Sequence, residues 1–153
     1  MTEIQALLLI KSILESADIH GIENILAEDC EYMSTGRGII GRNRNESIEF
    51  LSSMTESIKA DNVPVTCKVM HITDVYEEDA LFHEGRHGLT ISYESGDNYV
   101  YMIFVDVNDE GLVDRIVSSQ ENYSIEYDDL RFGDDESEYA FISAPTTVKD
   151  WIT

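Results

Sequence analysis

The side chains best able to move a proton in this sequence are three histidines, His71, His83 and His87, and a carboxylate, Asp106. Imidazole changes charge near neutral pH, so a histidine held by a carboxylate is a general-base arrangement. Period-two patterning places His71 on one predicted strand and both His83 and His87 on the next. Four residues apart on a strand means one face but a separation of roughly 13 Å. One metal ion with bonds of ~2.1 Å cannot bridge that span unless Gly85 forms a bulge. No metal and no cofactor are therefore expected. His71 can approach one of the other two, and Asp106 can orient an imidazole from a neighbouring strand. His71, His83 and Asp106 are thus weak catalytic candidates, against the plainer role of hydrogen-bonded or exposed sheet residues.

Other groupings carry less chemistry. Asp106, Asn108, Glu110 and Gly111 mimic the start of a calcium loop, but its twelfth position is Val117, where a bidentate Glu is required. The segment is a hairpin turn. Gly36-Arg37-Gly38 lacks the rest of a phosphate-binding loop. Arg37, Arg42 and Arg44 concentrate positive charge in one turn, suited to an anionic ligand or to pairing with the acidic C-terminal stretch. Tyr32, Tyr93, Tyr99 and Tyr101, with Ile103, would line an apolar pocket with polar tips, fit for a small hydrophobic ligand. Filling the core is the competing role for these aromatics. Cys30 and Cys67 sit among apolar neighbours and are expected to be buried free thiols.

The elements that position these residues are legible from periodicity. Ala6, Leu7, Ile10, Ile13 and Leu14 recur at helical spacing over Glu3–Ser16. Ile19, Ile22, Ile25 and Leu26 suggest a second short helix capped by Asp18, and Ile48, Leu51, Met54, Thr55 and Ile58 a third from about Asn45 to Ala60. A short strand at Cys30–Ser34 precedes the glycine turn. Four long strands follow, Val63–Val75, Ala80–Tyr93, Asn98–Val107 and Leu112–Gln120, joined by short polar turns that imply antiparallel hairpins. Alternation puts Tyr99, Tyr101, Ile103 and Val105 on one face and Val100, Met102 and Phe104 on the other. A strand apolar on both faces must be covered on both. A homodimer through the outer face or the C-terminal tail would supply the second cover.

The chain has 153 residues, 42% apolar, with 31 acidic against 10 basic side chains and a net charge of −21. That excess disfavours nucleic acid, whose recognition needs Lys and Arg, and anionic membrane surfaces. It suits a basic protein partner. No apolar run approaches the ~20 residues of a membrane helix, and a cytoplasmic location is expected. The acidity is densest in Glu126–Glu138, where seven carboxylates face only Arg131. The sequence thus divides into a domain over residues 1–123 and an acidic, aromatic-containing extension over 124–153.

Ala17-Asp18-Ile19-His20-Gly21-Ile22, Leu26-Ala27-Glu28-Asp29-Cys30, Ile40-Gly41-Arg42 with Ser47-Ile48-Glu49-Phe50-Leu51, and Val107-Asn108-Asp109-Glu110-Gly111-Leu112-Val113 occur in an order that resembles the nuclear-transport-factor-2-like superfamily. That superfamily includes SnoaL-like and ketosteroid-isomerase-like proteins. The resemblance spans about Glu3–Gln120 and implies an α+β cone, three N-terminal helices packed on a curved antiparallel sheet of four long strands plus one short strand. It also implies dimerisation through the back of the sheet. Carried over, the isomerases' oxyanion donors fall on Ile10 and Ile103 and their proton-shuttling Asp near Ser34. Neither Ile can donate a proton, and an unassisted Ser is a poor base. Steroid-isomerase chemistry is not expected. The resemblance therefore implies a small hydrophobic ligand held in the cone. The alternatives are an acidic module neutralising a basic partner, as an immunity protein does, or an isomerase, lyase or cyclase with a non-standard His/Asp site.

Overall fold

A computed structural model describes residues 1–34, 37–61, 65–75, 83–93, 99–120 and 130–134. Helix α1 (Glu3–Ser16) starts at a capping box in which the Gln5 amide donates to Thr2 Oγ1 and the Thr2 amide to Gln5 Oε1. It ends on Ala17, whose φ of 56° turns the chain off the helix axis. Helix α2 (Arg44–Asp61) is capped by Asn43 Oδ1, which accepts from the Glu46 amide. Both helices stand where their apolar spacing puts them.

The expected helix between them does not form. Asp18 Oδ1 accepts from the His20 amide, closing an Asx turn, and Gly21 at φ 88° leads into a single 3-10 turn over Ile22–Asn24. Ile22, Ile25 and Leu26 are nonetheless buried, so the apolar positions pack as expected on different backbone. The helix gives way because strand β1 (Leu26–Ser34) starts four residues earlier than expected, with the Val113 amide donating to Ile25 O. Among the described residues there are two α-helices, not the three expected.

The sheet also differs from the expectation. Strands β2 (Gly38–Gly41), β3 (Val65–Val75), β4 (His87–Tyr93), β5 (Tyr99–Val107), β6 (Val113–Gln120) and β7 (Leu130–Asp134) join β1 in the order β2-β1-β6-β5-β4-β3-β7. Six strands form a curved sheet, and β7 extends its β3 edge. The pairs β3–β4, β4–β5 and β5–β6 are antiparallel as expected, but β1 lies parallel to β6. A long crossover separates those two strands in sequence, which permits the parallel pairing a hairpin forbids. The Gly36-to-Gly41 stretch, expected to be only a turn, contains β2. Of the expected strand Ala80–Tyr93, residues 80–82 lie outside the described ones, and β4 begins only at His87, behind a turn closed by Arg86 N donating to His83 O with Gly85 at φ 87°.

α1 lies across β3, β4 and β5, and α2 lies across β1 and β2. Between helices and sheet, Leu7, Leu9, Ile10, Leu14, Leu51, Val69, Leu89, Ile91, Ile103, Val105 and Ile116 form one cluster, each at most 2% exposed. On the opposite face Ile72, Met102, Phe104 and Val117 are equally buried. The Phe104 ring lies over Gly88, where an added Cβ would come within 2.7 Å of it. Gly88→Ala should therefore destabilise the protein by about 1–3 kcal/mol. Urea unfolding should find part of that loss restored in Gly88→Ala/Phe104→Leu, and an undiminished midpoint in the single variant would contradict the contact.

Candidate functional site

The parallel pairing of β1 with β6 puts Ser34 beside Ser118 and Tyr32 beside Ile116 on the helix-facing side of the sheet. Ser34 and Ser118 are polar yet almost fully buried, at 2% and 3% exposure. They belong to the floor of a cavity of about 180 Å³. Ile40 of β2 and Phe50, Met54 and Ile58 of α2 supply apolar wall, Ser53 and Ser57 add hydroxyls, and Arg37 stands on the rim. The four-residue spacing Phe50–Met54–Ile58 brings one stripe of α2 to the cavity. Tyr32 stacks on Phe50 with ring centroids 5.5 Å apart and planes at 26°, fixing one wall. α2 itself is held down by Ser47, whose buried hydroxyl donates to Cys30 O at 2.8 Å.

Of the expected ligand-binding residues, Tyr32 lines this cavity. Ile103 does not; it is fully buried in the main cluster together with Ile10. The backbones of Tyr93, Tyr99 and Tyr101 lie in β4 and β5, and their side chains are outside the described ones. Phe50, Met54, Ser57 and Ser118 escaped the sequence reasoning. The α2 stripe was available as a signal, but the Ser34–Ser118 juxtaposition depends on a pairing that no local pattern announces.

The acid–base candidates lie elsewhere. Asp106 Oδ1 accepts from Arg86 Nη1 at 2.8 Å, and its second oxygen stands 3.9 Å from Arg115 Nη1. Its described partners are guanidinium groups rather than an imidazole. Arg86 also stands 3.9 Å from Glu3 Oε2 and 5.7 Å from the Phe104 ring centre. Burial, and next the charge of Asp106, raise the Asp114 carboxyl above its ordinary range. His71 and His87 face each other across β3 and β4 with ring centres 6.2 Å apart, and His83 Nδ1 stands 3.1 Å from Glu84 O. Arg44 donates to Glu23 O at 3.4 Å, leaving Arg37 as the one member of the arginine turn on the cavity rim. A wider cleft of about 360 Å³ separates the end of α1 from α2, with Asp18, His20, Glu56 and Lys59 along it.

Comparison with solved structures now places the fold. An NTF2-like protein of unknown function from Mesorhizobium loti is similar over 76% of this chain and 89% of its own, with 14% identity and a TM-score of 0.50. A de novo designed protein with a curved β-sheet matches over 80% of this chain and 90% of its own, with 13% identity and a TM-score of 0.51. An NTF2-like protein of unknown function from Cytophaga hutchinsonii matches over 78% of this chain and 98% of its own, with 13% identity and a TM-score of 0.49. No family model and no curated protein matches the sequence. The chain has the nuclear-transport-factor-2-like fold. Among the described residues, no helix is long and apolar enough to cross a membrane.

Both cysteines are free and buried. Burial pushes the Cys30 thiol up from 9.0 to about 11, while the Ser47 hydrogen bond pulls the other way. A raised thiol pKa favours the neutral form in the folded state. The stability this protects is fully present below pH 9 and is lost as pH rises towards 11, by about 2–3 kcal/mol. Urea titrations at pH 8 and pH 11 should show a smaller pH loss in Cys30→Ala than in the parent; equal losses would contradict this.

Proposed function

We propose that this chain binds a small amphipathic ligand of about one ring in the cavity between β1, β6 and α2, and does so without steroid-isomerase chemistry. The observation that carries the proposal is the pair Ser34 and Ser118, buried hydroxyls on the floor of a space walled by Tyr32, Ile40, Phe50, Met54 and Ile58. A core needs no polar floor, whereas a ligand pocket uses a few convergent polar groups to orient an apolar guest. The volume supports the size class, since an engineered apolar cavity of ~150 Å³ holds benzene. Arg37 on the rim favours a guest whose outer end is a carboxylate. Ile10 and Ile103, onto which the resemblance carries the isomerases' oxyanion donors, are packed in the core and have no proton to donate, which supports a reading without that chemistry. The net charge of −21 supports a second, separate reading, engagement of a basic protein partner that weakens as salt rises.

A thermal-shift series of monocyclic carboxylates and their amides tests the ligand proposal. The carboxylates should raise the melting temperature of the parent protein, and Ser118→Leu, which fills the floor, should abolish the shift. Arg37→Ala should weaken carboxylates by about fivefold while leaving the amides unchanged, as expected for a solvent-exposed charge pair. Absence of any shift across the series, or a shift that survives Ser118→Leu, would refute the assignment.

A further inference from the structure

β3 and β4 each carry a histidine at the same level of the sheet. In their antiparallel register His71 pairs with His87, two residues beyond the core pair of Val69 and Leu89 and so on the same helix-facing side. The next pair along, Ile72 and Arg86, carries a ladder bond, with Ile72 N donating to Arg86 O at 2.9 Å. Alternation makes His71 and His87 a non-hydrogen-bonded pair, the kind whose opposed side chains stand closest. Their ring centres are 6.2 Å apart with planes at 50°. Both side chains are half-buried, so water reaches them.

This spacing suits one metal ion. Bonds of ~2.1 Å to a nitrogen of each ring hold two imidazole centres about 5–6.5 Å apart. The expectation of no metal rested on the roughly 13 Å span of a His83–His87 pair along one strand. His83 lies instead in the turn before β4, and the register supplies a different pair, across two strands. The neighbours leave room for a cation. On the far side of β3, His71 is level with Gly133 of β7, which has no side chain. On the helix side Glu3, in the first turn of α1, accepts from the His87 amide through Oε1 at 3.3 Å. Its negative charge lowers the cost of a positive ion beside His87. Arg86, the neighbouring cation, is held by Asp106 at 2.8 Å. Each imidazole has two nitrogens, so one can bind metal while a hydrogen bond on the other fixes the ring.

We propose that His71 and His87 form a two-histidine site for a borderline divalent metal ion of the zinc, nickel and copper class, tying β3 to β4. Among the described residues no three His, Cys, Asp or Glu side chains converge on a metal position, so water completes the shell. Imidazole ligands select these ions over Mg²⁺ and Ca²⁺, which take oxygen ligands. Neither histidine lines the cavity floored by Ser34 and Ser118, and the two sites are separate.

Calorimetric titration of the full chain with Zn²⁺ in excess Mg²⁺ tests the site, the Mg²⁺ occupying surface carboxylates. One Zn²⁺ should bind per chain and raise the melting temperature. His71→Ala and His87→Ala should each weaken binding by at least about tenfold and remove the thermal shift, while His83→Ala leaves both unchanged. In the unsubstituted chain, the ring signals of His71 and His87 should move together in NMR spectra as Zn²⁺ is added, with those of His20 and His83 stationary. That readout does not depend on any variant folding. Zn²⁺ that is displaced by Mg²⁺, or retained by both alanine variants at these positions, is adventitious binding to carboxylates and overturns the proposal. So does a response centred on His83 or His20.

Discussion

Strand β5 buries four consecutive side chains, Met102, Ile103, Phe104 and Val105, each no more than 1% exposed, with alternate members pointing to opposite sides of the sheet. A strand of this kind cannot be half-solvated, because leaving either face wet forfeits about 1.5–3 kcal/mol per large apolar side chain. The helices meet half of that demand. α1 closes over β3 to β5, so Ile103 and Val105 disappear against Leu7, Ile10 and Leu14. On the other side the Phe104 ring packs against Gly88, a glycine required for space rather than for backbone freedom. The two-sided burial ties the charge pattern to the fold. Acidic side chains have few inward positions left, and the buried charged side chain among the described residues, Arg86, is held by Asp106, Glu3 and the Phe104 ring.

The cavity is a consequence of how the remaining strands meet this core. β1 joins β6 in parallel, beyond the strands that α1 covers, and α2 is pinned to β1 by the Ser47–Cys30 hydrogen bond. The interior is filled where α1 presses on β5 and open where α2 crosses β1 and β2. That division separates this chain's chemistry from what its fold alone would suggest. The same curved sheet serves proteins of unknown function and a designed protein, so the fold sets where a pocket can be and the lining residues set what it can hold.

Much of the fold was legible because hydrophobic period maps directly onto backbone geometry. α1 falls at Glu3–Ser16 as expected, α2 within a residue of its expected ends, and β3, β5 and β6 within two residues. The failures share a cause. The isoleucines at 19, 22 and 25 have helical spacing, but an Asx turn at Asp18 and a positive φ at Gly21 offered the backbone a competing set of hydrogen bonds. β2 was hidden because a four-residue strand with two glycines has no periodicity to detect. His83 was assigned to a strand with His87 because a turn at Glu84–Gly85 leaves no trace in the apolar pattern.

The sequence by itself determined what depends on neighbours along the chain: the two helices, most of the long strands, the two-faced apolarity of β5, the burial of both cysteines and the hairpin at Asn108–Gly111. Only the tertiary structure decided what depends on partners distant in sequence. The parallel register set Ser34 beside Ser118, the packing of α2 turned Phe50 and Met54 towards them, and the approach of the β3–β4 turn to β5 gave Asp106 an arginine for a partner. Such contacts join residues 16 to 84 positions apart in the chain, and the pattern of either segment is compatible with several pairings. The one that occurs is the one that buries both faces of β5 at once.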